Sequence, residues 1–114
     1  MKTESLELLR GTLDLLILRA LKVEGTHGYG VLRWIERATG DELRIEEGSL
    51  YPALYRLEKR GWITSEWGLS ENNRRARYYQ LTRKGRAQLD AEVDEFVRFA
   101  RAIFRAIDVS PMPA

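Results

Sequence analysis

Residues 72–77 read NNRRAR, so Arg74, Arg75 and Arg77 set three guanidinium groups within four positions, just behind Asn72 and Asn73. A guanidinium is a permanently charged planar fork of donors that matches phosphate oxygens. Three of them beside a flexible polar turn seldom assist folding. The chemistry they offer is pairing with a polyanion, along a sugar-phosphate backbone or inside a narrow minor groove. A solubilising charged loop is the plainer reading of the same residues.

A second constellation lies upstream in EGSLYPALYRLEKR, residues 47–60. At 100° per residue, Leu50, Leu54 and Leu57 fall within about 40° of one line, with Ala53 beside them. The opposite face collects Gly48, Pro52, Tyr55, Arg56 and Lys59, with Ser49 and Tyr51 at its flanks. That face has no long aliphatic side chain, so a second protein core is a poor destination for it. Gly48 and Pro52 are slim and permit close approach. Ser49 and the helix start offer donors to a phosphate. Tyr51 and Tyr55 bring hydroxyls and flat apolar surface, and Arg56 and Lys59 can reach guanine edges or the backbone. The plainer readings are that Tyr51 wedges between helices and that Lys59 merely complements the helix dipole.

Other chemistry is poorly supplied. The chain has no cysteine and one histidine, His27, in the Gly-rich stretch THGYG, which fits a turn or capping role. Metal binding or nucleophilic catalysis would need partners that the sequence does not cluster around it. HGYG lacks the lysine and the preceding strand of a phosphate loop. Asp94 and Glu95 sit on a polar helical face rather than converging on a cleft. The reading is therefore no enzyme, no metal and no cofactor. Trp62 and Trp67 fall on opposite faces of one strand and cannot share a pocket on it. Trp34, beside the apolar face of its helix, is the one weak candidate for an aromatic effector.

Elements that would position these residues follow from periodicity. A first helix is expected over about Ser5–Val23, its stripe carried by Leu6, Leu9, Leu13, Leu16 and Ala20, widened by Ile17 and Leu21. A turn at Gly25–Gly28 leads to a second helix to Thr39, with Val31, Leu32, Ile35 and Ala38 inward. An irregular link, with a strand pair around Leu43–Ile45, leads to the helix at 47–60, where Gly61 suits a left-handed C-terminal position. Pro52 is tolerable in the first turn. Then the period shortens to two: Ile63, Ser65 and Trp67 alternate with Trp62, Thr64 and Glu66, and a second alternating run reaches Leu81. This is a β-hairpin with a basic loop. Thr82 caps a final helix to about Ile107, on which Leu89, Val93, Phe96, Ala100, Ile103 and Ile107 recur at steps of four and three, flanked by Val97, Phe99 and Phe104. A helix so apolar at the end of a small chain needs a partner surface, either its own domain or a second copy.

Helix, helix, helix, hairpin, long helix is the order of a mainly α winged helix-turn-helix with an appended helix. Residues 1–82 would form the winged unit and 83–108 the dimerisation helix, one compact body with it, leaving 109–114 as a flexible tail. At 114 residues, 44% hydrophobic and 32% charged, the composition is that of one soluble globular domain. The net charge of +2 conceals an asymmetry: residues 44–86 hold ten Lys/Arg against five Asp/Glu, whereas both flanks are slightly acidic. The basic excess thus coincides with the two constellations. TLDLLILRALKV is interrupted by Asp14 and Arg19 and is too short to span a bilayer. The expectation is a cytoplasmic protein with no membrane association.

LDLLILRAL, HGYGVLRWIE, EEGSLYPALYRLEKRGWI and RRARYYQLTRKG together resemble the PadR-like transcriptional regulators, over nearly the whole chain. SLYPALYRLEKRGWI and YYQLTRKG are the specific blocks, and the length resembles the short subgroup with one C-terminal helix. The resemblance implies a homodimeric regulator, usually a repressor, whose last helix joins the first in the dimer interface. It maps Ser49, Tyr51 and Arg56 to DNA-facing positions, Arg74–Arg77 (with Asn73 ahead of them) to the wing, and Leu89, Val93, Phe96 and Ala100 to the dimer helix. Leu6, Leu9, Leu13, Val97, Ile103 and Phe104 complete the expected interface. Some members bind phenolic acids or flat hydrophobic drugs between subunits, a property that the shared motifs do not encode.

Two functions follow. The first is a dimeric repressor reading a pseudo-palindromic double-stranded operator, with helix 47–60 in the major groove and wing 69–77 on the backbone or minor groove. The second is a winged-helix protein-interaction adaptor without DNA binding, whose third helix would carry an apolar or acidic outer face. The basic, slim face found here counts against it.

Overall fold

The computed structural model describes residues 10–110. Its elements are α1 (Arg10–Val23), β1 (Thr26–His27), α2 (Gly28–Ala38), α3 (Glu47–Lys59), β2 (Ile63–Leu69), β3 (Arg75–Leu81) and α4 (Arg83–Ala106). The described part measures 50 × 30 × 25 Å. Leu6, Leu9 and the first residues of the expected first helix lie outside it, as does the end of the expected tail.

α1 runs through the middle of the core. Leu13, Ile17, Leu18, Ala20 and Leu21 are buried, against Val31, Leu32 and Ile35 of α2, Leu50, Ala53, Leu54 and Leu57 of α3, and Ile63, Tyr79 and Leu89. The expected stripe placed Leu16 inward and passed over Leu18. In fact Leu18 is fully buried and Leu16 only partly so. A helix covered on several sides has a broader apolar arc than one resting on a single neighbour.

Local chemistry sets the boundaries. His27 caps α2, its Nδ1 accepting from Gly30 N at 3.0 Å. α3 ends in the two reciprocal backbone bonds of a Schellman turn: Trp62 N donates to Leu57 O at 3.1 Å and Gly61 N to Glu58 O at 2.9 Å. That turn needs a left-handed residue, and Gly61 supplies it at φ +80°. Thr82 caps α4, accepting from Gly85 N at 2.9 Å, with the Gly61 and Trp62 carbonyls in reach of its proton at 2.8 and 3.0 Å. Gly85 is buried so tightly against the Trp62 carbonyl that a Cβ there would overlap it. α4 is thereby fastened at its first turn to the end of α3 and the start of the wing.

Four expectations need correction. Ala38 is exposed rather than inward, and Pro52 lies inside α3, beyond its first turn. The other two concern strands. The hairpin belongs to a three-stranded antiparallel sheet of order β1-β3-β2, because Thr26 and His27 pair with Tyr79 and Tyr78. Two residues are too few to show alternation, so this strand looked like a turn. Conversely, Leu43–Ile45 forms no strand. Ile45 alone is inserted into the core, with Leu43 packed at its margin, so the link is held by side-chain burial rather than by a ladder. Among the described residues no helix is long and apolar enough to cross a membrane.

Candidate nucleic-acid interface

The register of the wing decides what its faces present. Directly opposed pairs share a face, and Ile63 opposes Leu81, Ser65 opposes Tyr79, Trp67 opposes Arg77 and Leu69 opposes Arg75. From base to tip this face therefore changes from buried apolar (Ile63, Tyr79) to exposed aromatic and cationic (Trp67, Arg77, Arg75). It is the face turned toward α3. Ser65 Oγ donates to Glu58 Oε2 at 2.7 Å, Arg77 Nε donates to Ser65 Oγ at 2.8 Å, and Arg77 Nη2 lies 3.7 Å from Glu58 Oε2. The guanidiniums of Arg75 and Arg77 stand 4.5 and 5.4 Å from the Trp67 ring centre, within cation–π range. At the tip, Asn73 takes φ +62°, which asparagine tolerates better than most residues. Backbone bonds between Ser70 and both Asn73 and Arg74 close the loop.

α3 buries Leu50, Ala53, Leu54 and Leu57 completely, so its other side is fixed by geometry. Gly48, Pro52, Tyr55, Arg56 and Lys59 are all exposed and Ser49 is half-buried. A Cβ at Gly48 would meet nothing within 4 Å. Among the described residues no contact demands glycine there, and its slimness is available to a molecule arriving from outside. Lys59 Nζ sits 5.6 Å from the Tyr55 ring centre, which steadies both at the surface. Tyr51 is half-exposed and lies across Gly28, at the start of α2, so it packs on that helix with part of its ring at the surface. Burial, and then the Glu47 carboxylate, push its phenol above the ordinary tyrosine value. Arg56 leaves the outer face at its α1 side, and its Nη2 donates to Asp14 Oδ1 at 2.7 Å.

Between the wing tip and the starts of α2 and α3 lies an open groove of about 650 Å³, where Tyr51, Arg74, Arg75 and Arg77 meet. His27, Tyr29 and Trp67 line it too. The sequence reading passed over Tyr29 and gave Trp67 no site, excluding only a pocket shared with Trp62. The alternation of β2 and β3 carried the Trp67 signal, since it puts that ring beside Arg75 and Arg77. Tyr29, exposed and hydrogen-bonded to Arg33 at 3.2 Å, had no such signal beyond its place in HGYG.

The other expected residues lie elsewhere. Val93, Phe96, Val97 and Ile103 of α4 are exposed, as is the flanking Phe99, while Ala100 and Phe104 are half-buried. Leu13 and Leu89 need correction as interface residues: both belong to the chain's own core, with Leu89 only 1% exposed. Leu89 comes two turns into α4, where that helix still rests on α1, and the stripe emerges only beyond it. Trp34 packs against the core and lines a shallow cleft of about 400 Å³ on α2, with Arg33, Arg37 and His27. That cleft is separate from the groove of about 510 Å³ that Phe96 and Phe99 border with Thr12 and Leu15. Among the described residues no cluster of three or more His, Cys, Asp or Glu side chains could hold a metal ion.

A family model described as "Transcriptional regulator PadR-like family" matches residues 17–91. A relative from Lysinibacillus sphaericus, described only as uncharacterized protein X, is 31% identical over 97 residues, 85% of this chain and 89% of its own. Among solved structures, a transcriptional regulator from Clostridium thermocellum superposes with a TM-score of 0.79 at 31% identity, covering 87% of this chain and 96% of that one. A PadR family transcriptional regulator from Eggerthella lenta gives 0.78 at 28% identity, covering 95% and 92%.

Proposed function

The chain belongs to the PadR-like family of transcriptional regulators, and we propose that it acts as a homodimeric, sequence-specific repressor that binds double-stranded DNA at a pseudo-palindromic operator. In this reading α3 enters the major groove and wing 69–77 follows the backbone or the minor groove. Residues 1–82 carry the DNA-binding work and 83–108 the pairing.

The observation that carries the reading is that α3's slim side and the cationic, aromatic end of the wing are both exposed, and that Tyr51, at the flank of that side, lines one groove with Arg74, Arg75 and Arg77. An α-helix fills a major groove when its outward residues allow close approach, and arginines on a neighbouring ribbon then meet the backbone. Gly48, Ser49, Tyr51, Pro52, Tyr55, Arg56 and Lys59 would meet bases and phosphates. Arg74, Arg75 and Arg77, with Asn73 shaping the turn, would hold the register. Pairing is supported by α4. Roughly 36 Å long, it leaves Val93, Phe96, Phe99 and Ile103 exposed along one helix, with Ile107 exposed at its C-terminal cap. Two copies joined there would offer their third helices to successive major grooves, about 34 Å apart. A small aromatic effector, as the family resemblance allows, would act by changing that spacing.

A gel-shift at low salt against DNA upstream of the protein's own gene tests the proposal. A retarded band that competitor of scrambled sequence does not abolish is the expected result. A folded dimer that shifts no duplex would turn the reading toward a protein-interaction adaptor.

A further inference from the structure

The arginines of the interface fall into two kinds. Arg74 and Arg75 have no carboxylate partner among the described residues, and Arg75 rests on Trp67. Arg56 and Arg77 are each held by a carboxylate, Arg77 through Glu58 and Ser65 and Arg56 through Asp14. The Asp14–Arg56 bond spans 42 positions of sequence and ties α1 directly to the helix proposed to read DNA. Resting on that DNA-binding reading, we propose that Asp14 is a positioning residue that sets sequence discrimination, by holding the Arg56 guanidinium at one corner and discounting its charge.

Three features converge on this. First, the bond uses one N–H of Nη2 at 2.7 Å, and the other Nη2 N–H, Nη1 and Nε are left to donate elsewhere. An arginine pinned in this way keeps donors for a guanine edge and has less rotamer freedom to lose on binding. Secondly, the Arg56 side chain is 47% exposed and that of Asp14 is 21% exposed. A pair whose arginine is half-exposed contributes only modestly to folding, so its main consequence is to be sought in what Arg56 binds. Thirdly, Asp14 sets a negative charge at the margin of a face whose other charges, Lys59 and the wing arginines, attract any phosphate. Weakening attraction to every duplex while preparing one arginine for the correct base raises the ratio of specific to non-specific binding.

The test compares wild type with Asp14→Asn by fluorescence anisotropy over a salt series. The probes are the duplex that wild type recovers from a random-sequence library and a scrambled version of it. The expected result is a roughly tenfold fall in discrimination between the two duplexes, with a salt slope on the scrambled duplex steeper by about one unit. The thermal midpoint should barely move. In an Arg56→Gln background, Asp14→Asn should leave discrimination where Arg56→Gln alone puts it. Asp14→Ser supplies the same readings should the asparagine variant fold poorly. Unchanged discrimination and slope in a folded Asp14 variant, or an undiminished Asp14→Asn effect without Arg56, would overturn the assignment and leave the DNA-binding reading standing. Wild type that binds neither duplex would overturn both.

Discussion

Among the described residues, the outer side of α3 with the wing and the outer side of α4 are both exposed, but they are made of opposite materials. The first offers Tyr55, Lys59, Trp67, Arg74 and Arg75 over an apolar floor. The second offers Val93, Phe96, Phe99, Ile103 and Ile107. A cationic surface binds by displacing counterions from a polyanion, so added salt weakens it. An apolar surface binds by shedding water, and salt does not weaken it. Exposure alone therefore tells little about a face. The side-chain types on it separate a surface suited to a polyanion from one suited to apolar contact.

Three variants sharpen or break that contrast. Phe96→Glu should have the largest effect, because it buries a carboxylate in the proposed apolar interface without touching the core. Pairing should weaken by a hundredfold or more, read by sedimentation, and DNA retardation should go with it while the circular dichroism stays native. An unaltered dimer would remove α4 from the interface. Next, Arg74→Ala with Arg75→Ala should weaken binding to all duplexes and lower the salt slope by about one unit per lost phosphate contact, while the sedimentation of the protein is untouched. A slope that does not move would take the wing off the backbone. Gly85→Ala should be the mildest for function. It presses a methyl group on the Trp62 carbonyl and should cost about 1–3 kcal/mol of stability, seen as a lower thermal midpoint, with both binding surfaces unaffected at low temperature.

How far the sequence reveals this arrangement varies with the range of the interaction. Leu50, Leu54 and Leu57 announce the inner side of α3 through their spacing, and the outer side follows by subtraction. The caps at His27 and Thr82 and the turn at Gly61 are local chemistry, legible from a few adjacent residues. β1 is not, because a two-residue strand exists only through its pairing with Tyr78 and Tyr79. Periodicity also groups Leu89 with Phe96 on one stripe. It cannot say where along that stripe the chain's own core ends, which depends on how far α1 runs beside α4. The ties of Arg56 to Asp14 and of Arg77 to Glu58 are the least legible. Each joins charges that many other pairings on this surface could equally have matched.

Selection of bound sequences from random duplex DNA tests the central claim most directly, since one result reports both surfaces. The account predicts an enriched site with two inverted half-sites whose centres lie about one helical turn apart. Recovery of a single unrepeated site, of half-sites with no fixed spacing, or of no enriched sequence at all would contradict it.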